Sequence, residues 1–403
     1  MPVVLLRMEG NAEVITKPPY SLPSMADIAA VRGTSGLKVA STFSGCGGSC
    51  LGFEEAGFEV VWANEFVPIA QDAYAMNHAH TILDRRDVRN VSAADILEAV
   101  GLGVGELDVF NGSPPCQAFS TVGKRHKGWG SEKEYEHGVS QKNETLFDEY
   151  IRLLNGLQPK VFVAENVSGL AHGKAAGIFK GIGRDLSAAG YDVKVALLDA
   201  QWLGIPQTRL RLVFVGVRND LVARGARFEF PKPFPYYYSV QDAIPWVVAF
   251  DGENPDEFGN RTHPFEPPYG EPLQWGASKN RAAKFPPMPT TRPCECISTL
   301  GLGQVWEHFV EFRGTKAVRL GPDETLRGVA NRPGRSGRGF SIVEIKRLAS
   351  FPDDFKLPGS RVKQWNRIGN SVPPRMMNAL ASAIRETVFQ PLGMVAPGAK
   401  SVW

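Results

Sequence analysis

Four groups of residues carry reactive or ligand-holding side chains at junctions between apolar runs and polar turns. Cys116 stands in Gly112-Ser-Pro-Pro-Cys-Gln117, just after the apolar run Leu107–Asn111. Two prolines fix the backbone ahead of the sulfur. A thiolate presented at a strand end is a nucleophile once positive charge or a helix N-terminus lowers its pKa; a buried structural thiol is the plain alternative. Glu165, in Ala164-Glu-Asn-Val167, leaves another apolar run. Partial desolvation there favours the protonated carboxyl, which suits a general acid near neutral pH; a helix cap or surface acid is the alternative. In Gln207-Thr-Arg-Leu-Arg211, strand alternation puts Gln207, Arg209 and Arg211 on one face. Two guanidinium groups there suit a phosphate, carboxylate or carbonyl oxygen, unless the segment is a solvated edge. Finally, Phe43-Ser-Gly45-Cys-Gly47-Gly48 turns from an apolar run into a helical pattern, and Glu65-Phe66 follows twenty residues after Gly45. Glycines let a ligand approach the backbone, and an acid at Glu65 can accept from ribose hydroxyls. The pattern fits NAD, FAD or S-adenosylmethionine alike.

The elements that must position these groups alternate between strand and helix. Strands are expected at Leu37–Phe43, Phe58–Glu65, Leu107–Asn111, Lys160–Ala164, Tyr191–Leu198 and Leu210–Val217, with helices from the glycine turn to near Gly57 and at Pro68–Asn77, Thr145–Leu154 and Ala176–Ala189. Apolar strands alternating with helices imply a parallel sheet covered on both faces, with its active site at the carboxyl ends of the strands. Residues 1–36 read as an irregular extension broken by Pro18, Pro19 and Pro23. From Phe230 to about Pro293 the alternation gives way to proline and aromatic residues, which implies a second, loop-rich domain. Helical spacing returns over Pro373–Thr387.

Composition sets outer limits. The chain has 403 residues, 43% hydrophobic and 22% charged, with a net charge of +3. That is a globular composition, not a disordered or fibrous one. No run of eighteen apolar residues is present, and the N-terminus lacks the pattern of a secretory signal. Five cysteines at irregular spacing point to free thiols in a reducing cytoplasm. Cys46/Cys50 and Cys294/Cys296 lack histidines at ligand spacing, so no metal is expected. Arg327, Arg332, Arg335 and Arg338 lie in a Gly-rich basic stretch able to neutralise a polyanion, with a solvated surface as the alternative.

Taken in order, these motifs resemble the cytosine-C5 DNA methyltransferases of the prokaryotic restriction-modification type. Phe43-Ser-Gly-Cys-Gly-Gly48 is similar to the family's cofactor loop. Glu65-Phe66 and Asp87-Val88 match its ribose and adenine contacts, and Leu146 a cofactor-contacting leucine. Pro115-Cys116-Gln117 is similar to the catalytic loop, Glu165-Asn166-Val167 to the Glu-Asn-Val motif, and Gln207–Arg211 to Gln-x-Arg-x-Arg. Ile345–Phe355 fits the segment that organises the recognition domain. Asn370, Ser371 and Val372 fit the last motif, which folds back on the cofactor. The likeness covers roughly residues 38–222 and 318–386.

The resemblance implies an α/β, Rossmann-like S-adenosylmethionine-dependent methyltransferase sheet with a smaller loop-rich target-recognition domain. The expected units are an extension over 1–37, a catalytic and cofactor domain over 38–222, a recognition domain over 223–355, and a C-terminal segment over 356–403 packing back. It implies a flipped-out cytosine in double-stranded DNA, attacked at C6 by Cys116. Glu165 serves N3, and Arg209 and Arg211 hold the nucleotide, their roles undivided. Gln117, Ser120 and Lys124 lie on the loop expected to close over DNA, where Val122 replaces a family serine. A monomer, with a restriction endonuclease acting on the same site, is the expected setting. A tRNA cytosine methyltransferase lacks support, because the Cys-Phe-Thr tripeptide of that branch is missing. A catalytically dead DNA-binding protein conflicts with the retained Cys116, Glu165 and glycine loop. A nicotinamide oxidoreductase leaves Cys116, Glu165 and the arginines unexplained.

Overall fold

The computed structural model describes residues 4–5, 17–115, 133–135, 139–141, 146–171, 176–245, 293–294, 296–297, 310–313, 316–319, 335–336 and 341–403. Strands β2 (Lys38–Thr42), β3 (Glu59–Asn64), β4 (Ile82–Asp84), β5 (Val109–Gly112), β8 (Val161–Val167), β9 (Tyr191–Asp199) and β10 (Leu210–Arg218) form one mixed sheet; β6 (Lys133–Tyr135) and β7 (Val139–Gln141) pair with each other, and helices α6 (Ala176–Ala188) and α7 (Asn219–Ala223) follow β8 and β10 in the chain. The spatial order in the mixed sheet is β4-β3-β2-β5-β8-β10-β9, and a two-residue strand, β1 (Val4–Leu5), extends the β9 edge. The first five run parallel, while β10 is antiparallel to both its neighbours. Chain order reverses between β2 and β5, so the crevice for a ligand opens there, beyond the strands' carboxyl ends. Because β10 runs the other way, its first residues reach that same edge.

Strand alternation explains the two cores. Val109, Val161, Val163, Val213 and Val215 face one side, against α2 (Gly48–Glu55) and α11 (Pro374–Ile384). Phe110, Phe162, Leu212 and Phe214 face the other, against α4 (Ala93–Val100) and α5 (Leu146–Leu157). Both faces are apolar, which is why these strands read as continuous hydrophobic runs. Tyr150 of α5 stacks on Phe110 at 4.8 Å, and its hydroxyl lies 3.0 Å from the Val163 carbonyl, so its polar end is satisfied inside the core. Helix α3 (Pro68–Asn77) has the predicted bounds, with Pro68 in its first turn.

Three expectations change. The N-terminal segment is not irregular throughout: α1 (Met25–Val31) is capped by a reciprocal Ser24–Asp27 box and buries Ile28 and Val31, while residues 17–24 have no regular structure. Arg209 does not lie within a strand, because β10 begins at Leu210. The span read from the sequence as loop-rich contains a small antiparallel sheet, β12-β11-β13, over Lys316–Arg319, Val310–Arg313 and Arg335–Ser336. Helices α8 (Val240–Ala243), α9 (Ile342–Leu348) and α10 (Arg361–Asn370) share a third apolar cluster with Cys46 and Leu51, so residues 341–355 pack against the glycine-loop helix. Among the described residues no helix is long and apolar enough to cross a membrane.

Candidate functional site

The glycine loop connects β2 to α2 at the crevice. Phe43 (φ 54°), Gly45 (φ 58°) and Gly47 (φ 96°) all adopt left-handed backbone, uncommon for Phe43 and natural for glycine. The Ser44 amide donates to the Asn64 carbonyl at 3.0 Å, joining the loop to the end of β3. Glu65 then reaches back. Its Oε2 accepts from the Gly45 amide and its Oε1 from the Val67 amide, each at 2.7 Å. Burial raises the Glu65 pKa, and those two amides oppose the rise. Two donors leave part of the carboxyl's accepting capacity for further partners.

Next to Glu65, Phe66 is half-buried. The Gln71 side chain donates to the carbonyls of Glu65 (2.8 Å) and Arg85 (3.2 Å), and Asn64 donates to Arg86 (2.8 Å). These bonds bring the ends of β3 and β4 together and set Val88, which is buried, near them; Asp87 caps the following turn and pairs with Arg89 at 2.7 Å. Leu146 is fully buried at the start of α5. Asn111, on β5 beside the crevice, donates from its side-chain amide to Ser41 and Ser49, while its buried Oδ1 has no partner. An open glycine turn, a buried acid just past the adjacent strand and an apolar patch beyond it fit a nucleoside.

At the ends of β5 and β8 the chemistry changes. Asn166 donates to the Pro114 carbonyl at 3.1 Å and so ties β8 to the Pro-Pro turn that leads to Cys116. Pro115 is half-buried. Glu165 pairs across the sheet with Val213, and Arg211 with Val167. Those positions are diagonal neighbours on one face, within reach of long side chains. Arg211 Nε meets Glu165 Oε1 at 2.7 Å, with both side chains largely buried. Desolvation alone therefore does not define the carboxyl's environment: it has a guanidinium partner.

Arg209 does something different. It is 2% exposed and donates to the carbonyls of Ile297 (3.0 Å), Gly369 (2.9 Å) and Ser371 (2.7 Å). Burial, with Arg211 nearby, lowers its pKa to about 10. Gln207 shares this environment, donating to Leu348 and accepting from the Ile297 amide. The two arginines thus part: one staples the last motif in place, the other faces Glu165. In that motif Asn370 is exposed while Ser371 and Val372 are buried. A Cβ on Gly48 would sit 2.1 Å from Ser371 Oγ and 2.4 Å from the Val372 carbonyl, and one on Gly52 would sit 2.3 Å from the Pro374 carbonyl. Glycine is needed at both positions because the two ends of the chain meet there.

Cys116, Gln117, Ser120, Lys124, Arg327, Arg332 and Arg338 lie outside the described residues; Arg335 is in β13, known by its backbone alone. Burial pushes the Cys46 and Cys50 thiols up to about 11, which leaves them unreactive. Sequence reasoning missed Asn111, the Asn166 tie, and a group beneath the loop in which buried Glu54 and His78 lie beside exposed His80. Two histidines two residues apart after α3 were the signal for the last of these.

The family model of the C-5 cytosine-specific DNA methylases matches residues 37–262 and 294–386. The type II methyltransferase M.NgoPII of Neisseria gonorrhoeae is 30% identical over 87% of this chain and 96% of its own length. M.FnuDI of Fusobacterium nucleatum is 29% identical over 87% of this chain and 95% of its own. A structure titled as a prophage-encoded DNA modification methyltransferase from E. coli superimposes with a TM-score of 0.62 at 20% identity, covering 87% of this chain and 99% of that one.

Proposed function

The chain belongs to the C-5 cytosine-specific DNA methylases, and from that premise we propose how its residues divide the transfer of a methyl group from S-adenosylmethionine to carbon 5 of cytosine in DNA. The Glu165–Arg211 pair at 2.7 Å, beside the Pro-Pro turn held by Asn166, carries this reading. The cytosine is flipped out of the duplex into the space beyond β5 and β8. The Cys116 thiolate forms a bond to C6. Glu165 delivers a proton to N3, so the electron pair released by the attack collects on the ring and makes C5 nucleophilic. Arg211 orients the Glu165 carboxyl and holds the nucleotide. After C5 has been methylated, a base, water in this reading, takes the C5 proton; the C5–C6 double bond re-forms, the sulfur leaves as thiolate, and N3 returns its proton to Glu165.

The methyl donor is held by Phe43, Gly45, Gly47 and Gly48 of the loop, by Glu65, Phe66, Asp87, Val88 and Leu146, by Pro115 from the catalytic side, and by Asn370, Ser371 and Val372. Bound there, S-adenosylmethionine supplies an electrophilic methyl group. Gln117, Ser120 and Lys124 close over DNA, and Arg327, Arg332, Arg335 and Arg338 of a recognition domain spanning 223–355 grip its phosphates. The protein acts as a cytoplasmic monomer on one specific double-stranded sequence, alongside an endonuclease that cuts the unmethylated site. Bisulfite sequencing of plasmid DNA from cells expressing the chain tests the activity and reads out the site. Duplexes carrying 5-fluorocytosine at that site should trap a covalent adduct with the protein and not with Cys116→Ser, which should still bind DNA. An adduct with the serine variant, or methylation by it at near-normal rate, refutes the assignment of Cys116.

A further inference from the structure

Beneath the glycine loop lies a group of ionisable side chains that the methyl-transfer chemistry does not use. Glu54, at the end of α2, is 1% exposed. His78, the residue that ends α3, has a side chain with no exposure, and its ring stacks on Tyr74 at 4.5 Å. Neither ring nitrogen has a hydrogen-bond partner: Nδ1 stands 3.4 Å from Glu54 Oε2 without making one, and Nε2 is turned to the loop. A Cβ on Gly47 would lie 2.3 Å from that Nε2 and 2.6 Å from Cδ2. The imidazole therefore fills the space under Gly47, the residue that caps α2 with left-handed backbone. On the far side, His80 Nε2 lies 2.5 Å from Glu54 Oε1, and Arg32 contacts His80 Nδ1 at 2.8 Å.

We propose that Arg32, His80, Glu54 and His78 form a relay running from the surface into the core that positions Gly47, and with it the loop that holds S-adenosylmethionine. The direction of the relay follows from donor chemistry. A guanidinium only donates, so His80 Nδ1 accepts from Arg32 and His80 Nε2–H donates to Glu54. The buried carboxylate is thereby coupled to a cation at the surface, and its second oxygen faces His78. A buried polar ring lacking bonds calls for an explanation; here the ring is a wedge whose shape fixes the turn above it. The same donors could in principle surround a divalent cation, since one atom from each of Glu54, His78 and His80 falls within 4.8 Å of the others. Arg32 argues against that: a metal at His80 Nε2 would leave Nδ1 carrying the proton, facing a group that cannot accept it.

This inference rests on the loop being the cofactor site, and the test separates the two. In the full-length enzyme, affinity for S-adenosylmethionine is measured by titration calorimetry, turnover at saturating cofactor by methyl incorporation, and folding by thermal melting. His78→Ala is expected to weaken cofactor binding at least tenfold while saturated turnover stays within threefold. His78→Asn, which keeps a donor at the place of Nδ1, should recover part of the loss. Glu54→Gln should move affinity the same way by less, and serves if His78→Ala does not fold. Wild-type affinity in a folded His78→Ala overturns the relay. Wild-type affinity in Gly47→Ala overturns the loop assignment itself. Stoichiometric metal in the purified protein, lost in His78→Ala, replaces the relay with a cation site.

Discussion

Replacing Arg209 and Arg211 separately should damage different kinetic parameters. Arg209→Ala strips donors from three carbonyls, those of Ile297, Gly369 and Ser371, all bonded at 3.0 Å or less. Each buried acceptor left unpaired costs about 1–3 kcal/mol. Some relaxation of the segment toward water keeps the sum near the low end, about 4 kcal/mol, in line with the roughly 3–5 kcal/mol for removing one partner of a buried charged contact. At about 2.1 cal/mol/K of unfolding entropy per residue, 403 residues give about 0.85 kcal/mol/K, so the melting temperature should fall by about 5 °C if the chain unfolds as one unit. Because Ser371 packs against the Gly48 position, KM for S-adenosylmethionine should rise as well. Arg211→Ala leaves the largely buried Glu165 carboxyl without its guanidinium, so it should lose stability too, but its mark is turnover, down about a hundredfold or more at an unchanged KM for the donor. Differential scanning fluorimetry together with steady-state kinetics makes the comparison. If Arg209→Ala keeps its melting temperature while kcat collapses at unchanged KM for the donor, the division of roles is wrong.

Three further outcomes follow from the same contacts. Gly48→Ala forces Ser371 and Val372 away from α2, so cofactor binding should drop at least tenfold by calorimetry; an unchanged affinity would mean the last motif does not border the cofactor. Glu55 is fully buried, and burial raises its pKa to about 8 despite the Trp403 indole bond and the Arg375 charge. Its folded value lies above its unfolded value, so the stability it contributes is complete below about 4.5 and is lost as pH rises through about 8. Urea midpoints for Glu55→Gln should therefore fall less than wild type between pH 5 and 8, and parallel curves would disprove the protonated carboxyl. Alanine at Arg327, Arg332, Arg335 and Arg338 should weaken DNA binding and flatten its dependence on salt, the slope changing by up to about 0.9 per lost phosphate contact; unchanged fluorescence-anisotropy titrations would return these residues to solvent.

The sheet was legible because its signals are local. Apolar runs such as Lys160–Ala164 and Tyr191–Leu198 lie within a few residues of β8 and β9, and α3 begins at Pro68 as the proline implied. Helix α1 was hidden by Pro18, Pro19 and Pro23, although Ser24 and Asp27 carry a capping-box pattern. The glycine loop and Glu65 could be paired from spacing, since strand, turn and strand follow in direct succession. The separation of Arg209 from Arg211 could not. Their types match, and the difference arises from partners 160 and 162 residues away that bind only Arg209. The wedge of His78 under Gly47 was equally invisible, because it depends on how α3 packs against α2.

The meeting of Gly48 and Gly52 with Ser371, Val372 and Pro374 has a consequence for synthesis of the protein. In the proposed assignment, one wall of the donor pocket leaves the ribosome early, and the opposite wall more than three hundred residues later. A nascent chain therefore cannot complete that pocket, and cannot begin modifying DNA, until translation has passed residue 374 and every intervening segment has been made.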